Sequence, residues 1–135
     1  MSISQQLTQH CFQTLDSAQM YQLLEQVKDK LESMSFDRLV SIDLLPLSLT
    51  SLLSVSVNKP FIITRQQTKG YGTNKSIEGS FSPGEKVVVL VFDYDQAAED
   101  VMLMLQDSGL IIQKVLVFNE TVFNKSNSYS IESIE

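Results

Sequence analysis

Apolar residues at helical spacing predict four helices. The clearest helix carries an apolar residue at every third or fourth position: Met20, Leu23, Val27, Leu31 and Met34. Asp16 precedes this stripe and Gln19 follows three residues later, which is the spacing of a capping box at a helix start. A largely buried helix is predicted within residues 44–57, and another one ends at Gly109. A short helix within residues 3–11 comes before them.

Short apolar runs alternate with these helices and predict buried strands. They lie at residues 39–42, 61–64, 87–92 and 110–118. The run at 87–92 is continuously apolar, which is typical of a strand covered on both faces. Alternation of strands and helices predicts an α/β fold, with a parallel sheet and flanking helices. We expect one domain over residues 1–123 and a polar C-terminal tail, 124–135, that is frayed or adds an edge strand.

The charge and the single cysteine restrict the classes of partner and the compartment. The formal net charge of -6 works against a nucleic-acid backbone or an anionic membrane as a partner. No apolar run is long enough to cross a bilayer, and one cysteine, Cys11, excludes an internal disulfide. We therefore predict a cytoplasmic protein that binds neither nucleic acid nor membrane.

Candidate binding positions lie at the ends of the predicted strands and in one polar stretch. Ligands of open parallel sheets bind beyond the carboxyl ends of strands, here around Asp43, around Asp93 and after Phe118. The stretch from Arg65 to Ser80 is mostly polar and holds three glycines and three basic residues. This composition predicts a mobile loop or a loose hairpin.

The sequence RQQTKGYGTNKSIEGSFSPGEKVVVLVFD, from Arg65 to Asp93, resembles the catalytic loop and following strand of orotate phosphoribosyltransferases. The pieces KGYGT and IEG and the Pro-Gly turn carry the resemblance, which extends from about Phe36 to Asn119. It is greatest to the form found in uridine monophosphate synthases. The resemblance implies a type I phosphoribosyltransferase fold, which in this chain is degenerate and truncated.

The resemblance also implies an activity and roles for individual residues. Members of the family transfer ribose 5-phosphate from phosphoribosyl pyrophosphate, with magnesium, onto a nitrogen of a base. They are dimers in which a mobile loop of each subunit reaches the neighbour's site. By position, Arg65 matches the arginine of the catalytic Arg-Lys pair, Lys69 the lysine that meets pyrophosphate, and Tyr71 the loop tyrosine or histidine. Asp93 matches the second of two acidic residues after the central strand.

The chain departs from the family pattern at the loop that binds the 5-phosphate. Small and hydroxyl residues are expected there because backbone N–H groups must close on the phosphate. Instead the loop carries Asp95, Gln96, Ala98 and Glu99. A Glu99 carboxylate about 4 Å from a phosphate charge would cost about 4 kcal/mol at an effective dielectric near 20. Ala98 also restricts the positive φ that such a turn could need.

Two other departures also put acidic residues where the family pattern has small or basic ones. The pyrophosphate loop carries Asp43 and Leu44, and Glu120 stands where an arginine should hold the orotate carboxylate. A structural interpretation of the acidic residues is that Asp95, Glu99 and their neighbours cap the next helix and interact with its dipole. An alternative is a magnesium or calcium site formed by the carboxylates of residues 43, 93 and 95.

These departures lead to a non-catalytic protein as the first hypothesis. It would be a pseudoenzyme without cofactor or metal that acts through a homodimer or a protein partner. The second hypothesis is a divergent active orotate phosphoribosyltransferase that uses magnesium. The third is a sensor of a non-anionic small ligand. Arg65, Lys69, Tyr71 and Asp93 would be vestigial in the first hypothesis and functional in the second.

Overall fold

The computed structural model describes residues 16–43, 46–65, 76–119 and 129–134. Within these ranges the chain forms three helices and six strands. The helices are α1 (Ser17–Glu32), α2 (Leu47–Val57) and α3 (Gln96–Asp107). The strands are β1 (Arg38–Ile42), β2 (Phe61–Arg65), β3 (Ser76–Glu78), β4 (Lys86–Val91), β5 (Ile111–Val117) and β6 (Ser130–Ser133). The helix predicted within residues 3–11 lies outside the described residues.

The helix ends follow the local sequence signals. Asp16 caps α1 through its side chain, which accepts from the Gln19 amide at 2.8 Å, and the Gln19 side chain accepts from the Asp16 amide at 2.9 Å. The predicted capping box is therefore confirmed. Helix α3 ends in a Schellman motif: Gly109 has φ 93°, its amide bonds to Gln106 O, and the Leu110 amide bonds to Leu105 O.

The six strands form one mostly parallel sheet in the order β3-β2-β1-β4-β5-β6. Every neighbouring pair is parallel except β2 and β3, which are antiparallel. The β2–β3 pairing shows that the stretch beginning at Arg65 includes a hairpin, one of its two predicted forms. Strand β6 lies at the other edge of the sheet. The C-terminal tail therefore adds an edge strand, one of its two predicted forms.

Helices cover both faces of this sheet and explain the continuous apolar run of β4. Val87, Val89 and Val91 face the side covered by α3, whereas Val88 and Leu90 pack on the side covered by α1 and α2. All five side chains are buried, and each contributes about 1.5–3 kcal/mol of hydrophobic stabilisation. The predicted α/β fold with a parallel sheet and flanking helices is confirmed.

An ion pair between Arg38 and Glu85 lies at the edge of this core. Arg38 binds Glu85 through two hydrogen bonds of 3.0 Å, and this contact holds the pKa of Glu85 below its ordinary value.

None of the helices in the four described ranges is long and apolar enough to span a bilayer.

The strand order creates a crevice between β1 and β4. From β1 the chain passes through α2 to β2 on one side, and from β4 it passes through α3 to β5 on the other. The connections that leave the carboxyl ends of β1 and β4 therefore diverge. Such a topological switch point is the expected ligand position in an open α/β sheet.

Candidate functional site

A cleft of about 160 Å³ occupies this switch point. The described residues that line it come from the ends of β1 and β4 and from the first turn of α3: Ile42, Asp43, Val91, Phe92, Asp93, Asp95, Ala97 and Ala98. The cleft therefore has an apolar floor and three carboxylates on its wall. It brings together Asp43, Asp93, Asp95 and Ala98 of the residues that the sequence singled out.

Asp43 is held in an uncommon backbone conformation directly after β1. Its φ is 61°, in the left-handed region, where aspartate is tolerated better than most residues. The Asp43 amide donates to Thr64 O at 2.8 Å, and its carbonyl accepts from Ser41 Oγ at 3.2 Å. These bonds fix the turn that opens the cleft, so the position of Asp43 is set by β1 and β2 together.

Asp93 lies just beyond the end of β4 and is oriented by Asn119. The Asn119 side-chain amide donates to Asp93 Oδ1, and the Asn119 backbone amide donates to Phe92 O at 2.7 Å. Asn119 thus joins the carboxyl ends of β4 and β5. The sequence alone does not show this role of Asn119; the one signal for it is a polar residue directly after a predicted strand.

The first turn of α3 combines a capping carboxylate with open amides. Asp95 Oδ1 accepts from the Ala98 amide at 2.9 Å, so the predicted capping by Asp95 is confirmed. The amides of Gln96 and Ala97 have no acceptor within the helix, because the first turn of an α-helix lacks preceding carbonyls. Amides in this position favour an anion. The Gln96 side chain turns to Asp100, to which it donates at 3.0 Å.

Glu99 does not project into the cleft. Its side chain is only 5% exposed and accepts from the Tyr94 hydroxyl, while the Tyr129 hydroxyl lies 3.5 Å from the same carboxylate oxygen. The carboxylate therefore faces two tyrosines in the core, and the cleft position that the sequence predicts for Glu99 is wrong. The sequence could not reveal this because Tyr129 is 30 positions away.

Ala98 fits the first turn of α3 without strain. Among the non-glycine residues in the described parts of the chain, positive φ occurs at Asp43 and Asn58. Ala98 instead has an ordinary helical backbone, so this turn has no positive φ at residue 98. Its buried methyl group packs in the core beside Tyr94 and Val101.

Of the remaining predicted site residues, Arg65 is described by the structure and is not among the residues that line the cleft. Arg65 ends β2 and pairs with Glu78 across the hairpin, with 3.3 Å between Arg65 Nε and Glu78 Oε2. Four others lie outside the described residues: Leu44, Lys69, Tyr71 and Glu120.

A preformed three-carboxylate metal site is not part of the described structure. Within the described ranges, no three histidine, cysteine, aspartate or glutamate side chains are placed to hold a metal. Magnesium, however, is commonly bound by one or two carboxylates together with substrate phosphates. The carboxylates of Asp43 and Asp93 at the cleft fit that requirement.

The fold and the switch-point cleft define the class as the type I phosphoribosyltransferase fold. The structure superposes on orotate phosphoribosyltransferase from Aeropyrum pernix with a TM-score of 0.66 at 20% identity, over 76% of this chain and 59% of that one. It matches Leishmania donovani UMP synthase with a TM-score of 0.64 at 20% identity, over 87% and 27% of the two chains. An adenine phosphoribosyltransferase gives a TM-score of 0.73 at 12% identity over 99% and 100%.

Sequence comparison gives relatives that are named orotate phosphoribosyltransferase. The chain is 37% identical over 81 residues to orotate phosphoribosyltransferase from Methanocella arvoryzae, which covers 58% of this chain and 46% of the relative. It is 35% identical over 82 residues to the enzyme of that name from Natronomonas pharaonis, covering 59% and 47%. No family model matches the chain. The chain thus spans about half the length of these relatives, and its predicted resemblance to orotate phosphoribosyltransferases is confirmed.

The prediction of a non-catalytic role is wrong. The relatives that match the chain are named as an enzyme, orotate phosphoribosyltransferase. That prediction also relied on a Glu99 charge beside the substrate phosphate, whereas Glu99 is buried against Tyr94. The loss of anion binding inferred from this position therefore has no support.

Proposed function

We propose that the chain is a phosphoribosyltransferase that transfers ribose 5-phosphate from phosphoribosyl pyrophosphate to orotate. The observation that carries this proposal is the cleft at the ends of β1 and β4, in a chain 37% identical over 81 residues to an orotate phosphoribosyltransferase. In this proposal the bond between ribose C1 and pyrophosphate breaks, and pyrophosphate leaves with the electron pair. A ring nitrogen of orotate loses its proton to solvent and supplies the electron pair that forms the new bond to C1.

The first turn of α3 would hold the 5-phosphate. The amides of Gln96 and Ala97 are available as donors, and the positive end of the helix dipole favours a dianion. Asp95 already caps this turn, so its carboxylate has to yield or rotate when the phosphate binds. Because Asp95 is exposed, solvent screens its charge and lowers the cost of that rearrangement.

Asp93 would bind the ribose, since a carboxylate fixed by Asn119 can accept hydrogen bonds from sugar hydroxyls. Asp43 lies across the cleft at the end of β1. Bound magnesium would neutralise part of the pyrophosphate charge, and Asp43 and Asp93 are the residues that would hold it with the substrate oxygens. Lys69 is proposed to meet pyrophosphate because it matches the family's loop lysine.

Calorimetry and a turnover assay test the proposal on the full chain. Wild-type protein is expected to bind phosphoribosyl pyrophosphate with magnesium and to consume orotate, seen as a loss of orotate absorbance. Asp93→Asn keeps the shape but removes the charge, and should lower kcat/KM by about 10- to 100-fold. Asp29→Asn, on the exposed face of α1, is the matched control and should be neutral. No orotate consumption by the wild type would refute the proposal.

We also propose that two copies of the chain associate as a homodimer. The support is a groove between α1 and α2 that is lined by Tyr21 and Leu52, which are 63% and 45% exposed. Val55, three residues after Leu52 in α2, is 85% exposed. Exposed apolar groups that lie together commonly mark an interface. Light scattering should give a mass of two chains for the wild type. The Val55→Asp variant should give the mass of one chain. A monomeric wild type would contradict this assignment.

A further inference from the structure

Three polar side chains meet in the core beside the cleft, and none of them belongs to the proposed substrate contacts. Tyr94 immediately precedes Asp95, Glu99 lies one turn into α3, and Tyr129 immediately precedes β6. The Tyr94 hydroxyl donates to Glu99 Oε2. The Tyr129 hydroxyl lies 2.6 Å from the Tyr94 hydroxyl and 3.5 Å from Glu99 Oε2. We refer to Tyr94, Glu99 and Tyr129 as the tyrosine–glutamate cluster.

Tyr94 and Glu99 are buried and Tyr129 is half-buried, so the hydrogen bonds of the cluster are costly to lose. Tyr94 is 2% exposed and Glu99 is 5% exposed, and a buried carboxylate without donors would be strongly unfavourable. Burial, followed by the hydrogen bond to Glu99, raises the pKa of Tyr94 far above its ordinary value. The tyrosine hydroxyl therefore stays protonated at neutral pH and continues to donate to Glu99.

The cluster is joined to the cleft through the backbone. Tyr94 stands between Asp93 and Asp95, both of which line the cleft, and Glu99 follows Ala98, which also lines it. Fixing the side chains of Tyr94 and Glu99 thus fixes the two ends of the turn from residue 94 to residue 99. Both hydrogen bonds that this turn donates to Asp95, from the amides of Ala98 and Glu99, lie within that span.

Tyr129 connects this turn to the C-terminal edge of the sheet. Strand β6 begins at the next residue and pairs with β5 in parallel, with Ser130 opposite Lys114. Glu132 anchors β6 further through ion pairs with Lys30 at 2.8 Å and Lys114 at 3.4 Å. The Tyr129 hydroxyl is therefore presented to Tyr94 by a strand that is itself held in the fold.

We propose that Tyr129 is a positioning residue: through Tyr94 and Glu99 it holds the first turn of α3 in the conformation that receives the phosphate. This inference rests on the proposed function for its catalytic consequence, because the phosphate is assigned to that turn there. Its structural part concerns the free protein alone. The C-terminal strand then contributes to substrate binding without touching the substrate.

Amide hydrogen exchange of the ligand-free protein tests the structural part. Tyr129→Phe removes only the hydroxyl and should speed exchange at the Ala98 and Glu99 amides by about 3- to 10-fold. Exchange at the amides of Leu23 and Val27 in α1 should stay unchanged, which separates a local effect from general destabilisation. Ser133→Ala, which also removes one hydroxyl, at an exposed position of β6, is the matched control and should alter neither region.

Kinetics test the consequence for binding. Tyr129→Phe should raise KM for phosphoribosyl pyrophosphate by a similar factor with kcat little changed, and Ser133→Ala should leave both values unchanged. Unchanged exchange at Ala98 and Glu99 in Tyr129→Phe overturns the inference, whatever the wild type binds. If the wild type binds no phosphoribosyl pyrophosphate but the substitution still speeds this exchange, the proposed function fails and the positioning of the turn by Tyr129 stands. Faster exchange with an unchanged KM overturns the link to the substrate.

Discussion

Replacing Glu99 by alanine distinguishes a carboxylate in the core from one in the cleft. In the structure, Glu99 is 5% exposed and accepts from Tyr94. Alanine would leave the tyrosine hydroxyls without that acceptor and would leave a small cavity where the side chain was. A carboxylate facing the cleft would lose little on replacement, because an exposed acidic group at a helix start contributes about 0.3–1 kcal/mol.

The expected loss of stability can be worked from these contacts. An unsatisfied buried hydroxyl costs about 1–3 kcal/mol, and the cavity adds about 1 kcal/mol. The higher helix propensity of alanine offsets only a few tenths of a kcal/mol. For a chain of 135 residues the entropy of unfolding is about 0.28 kcal/mol per degree. The Tm should therefore fall by about 6–13 °C.

Differential scanning calorimetry measures this shift directly. Glu32→Ala is the control, since the Glu32 side chain is 61% exposed at the end of α1 and its loss should cost less than about 0.5 kcal/mol. A fall in Tm of about 3 °C or less for Glu99→Ala, similar to the control, would refute a buried Glu99. The repulsion inferred from the sequence would then regain its physical basis.

Two further substitutions test the turn after α3 and the ion pair at the sheet edge. Gly109→Ala should lower the free energy of unfolding, measured in urea, by about 2–3 kcal/mol, because φ is 93° and a Cβ would lie 2.9 Å from Pro83 Cβ. Gly84→Ala is the control: φ is 91° but the space around it is open, so the loss should be only about 1 kcal/mol. Equal costs would contradict the steric contact. The pKa of Glu85 is lower in the folded protein than its ordinary value of 4.5, so Glu85 stabilises the fold at pH values above 4.5. This stabilisation is lost as the pH falls through the lower pKa of the folded state. Glu85→Gln should thus cost about 1 kcal/mol near pH 7 and much less near pH 3, and a pH-independent difference would argue against the Arg38 contact as its cause.

The candidate site depends on residues from three strand ends that the sheet brings together. Asp43 follows β1, Asp93 follows β4, and Asn119 follows β5. The sequence indicates the first two as acids at strand ends but not the hydrogen bond from Asn119 to Asp93. That bond depends on the parallel pairing of β4 and β5, which aligns their carboxyl ends at one edge of the sheet.

The sequence by itself determined the elements of the fold. The period of Leu23, Val27 and Leu31 specifies α1, and the capping box at Asp16 sets its start. The continuous apolar run of β4 requires cover on both faces, and the glycine at 109 ends α3. These features are local, because a helix period or a cap involves residues only three or four positions apart.

Only the tertiary structure decided where the charges of the site lie. Read along the chain, Glu99 is an acid in the first turns of a helix, and its position alone places it beside the phosphate. In the fold, Tyr129 lies 30 positions later, just before β6, and together with Tyr94 it supplies hydroxyls that keep the Glu99 carboxylate in the core. The orientation of a buried carboxylate depends on the hydrogen-bond donors around it. Those donors are brought to it by the packing of segments that are distant in sequence.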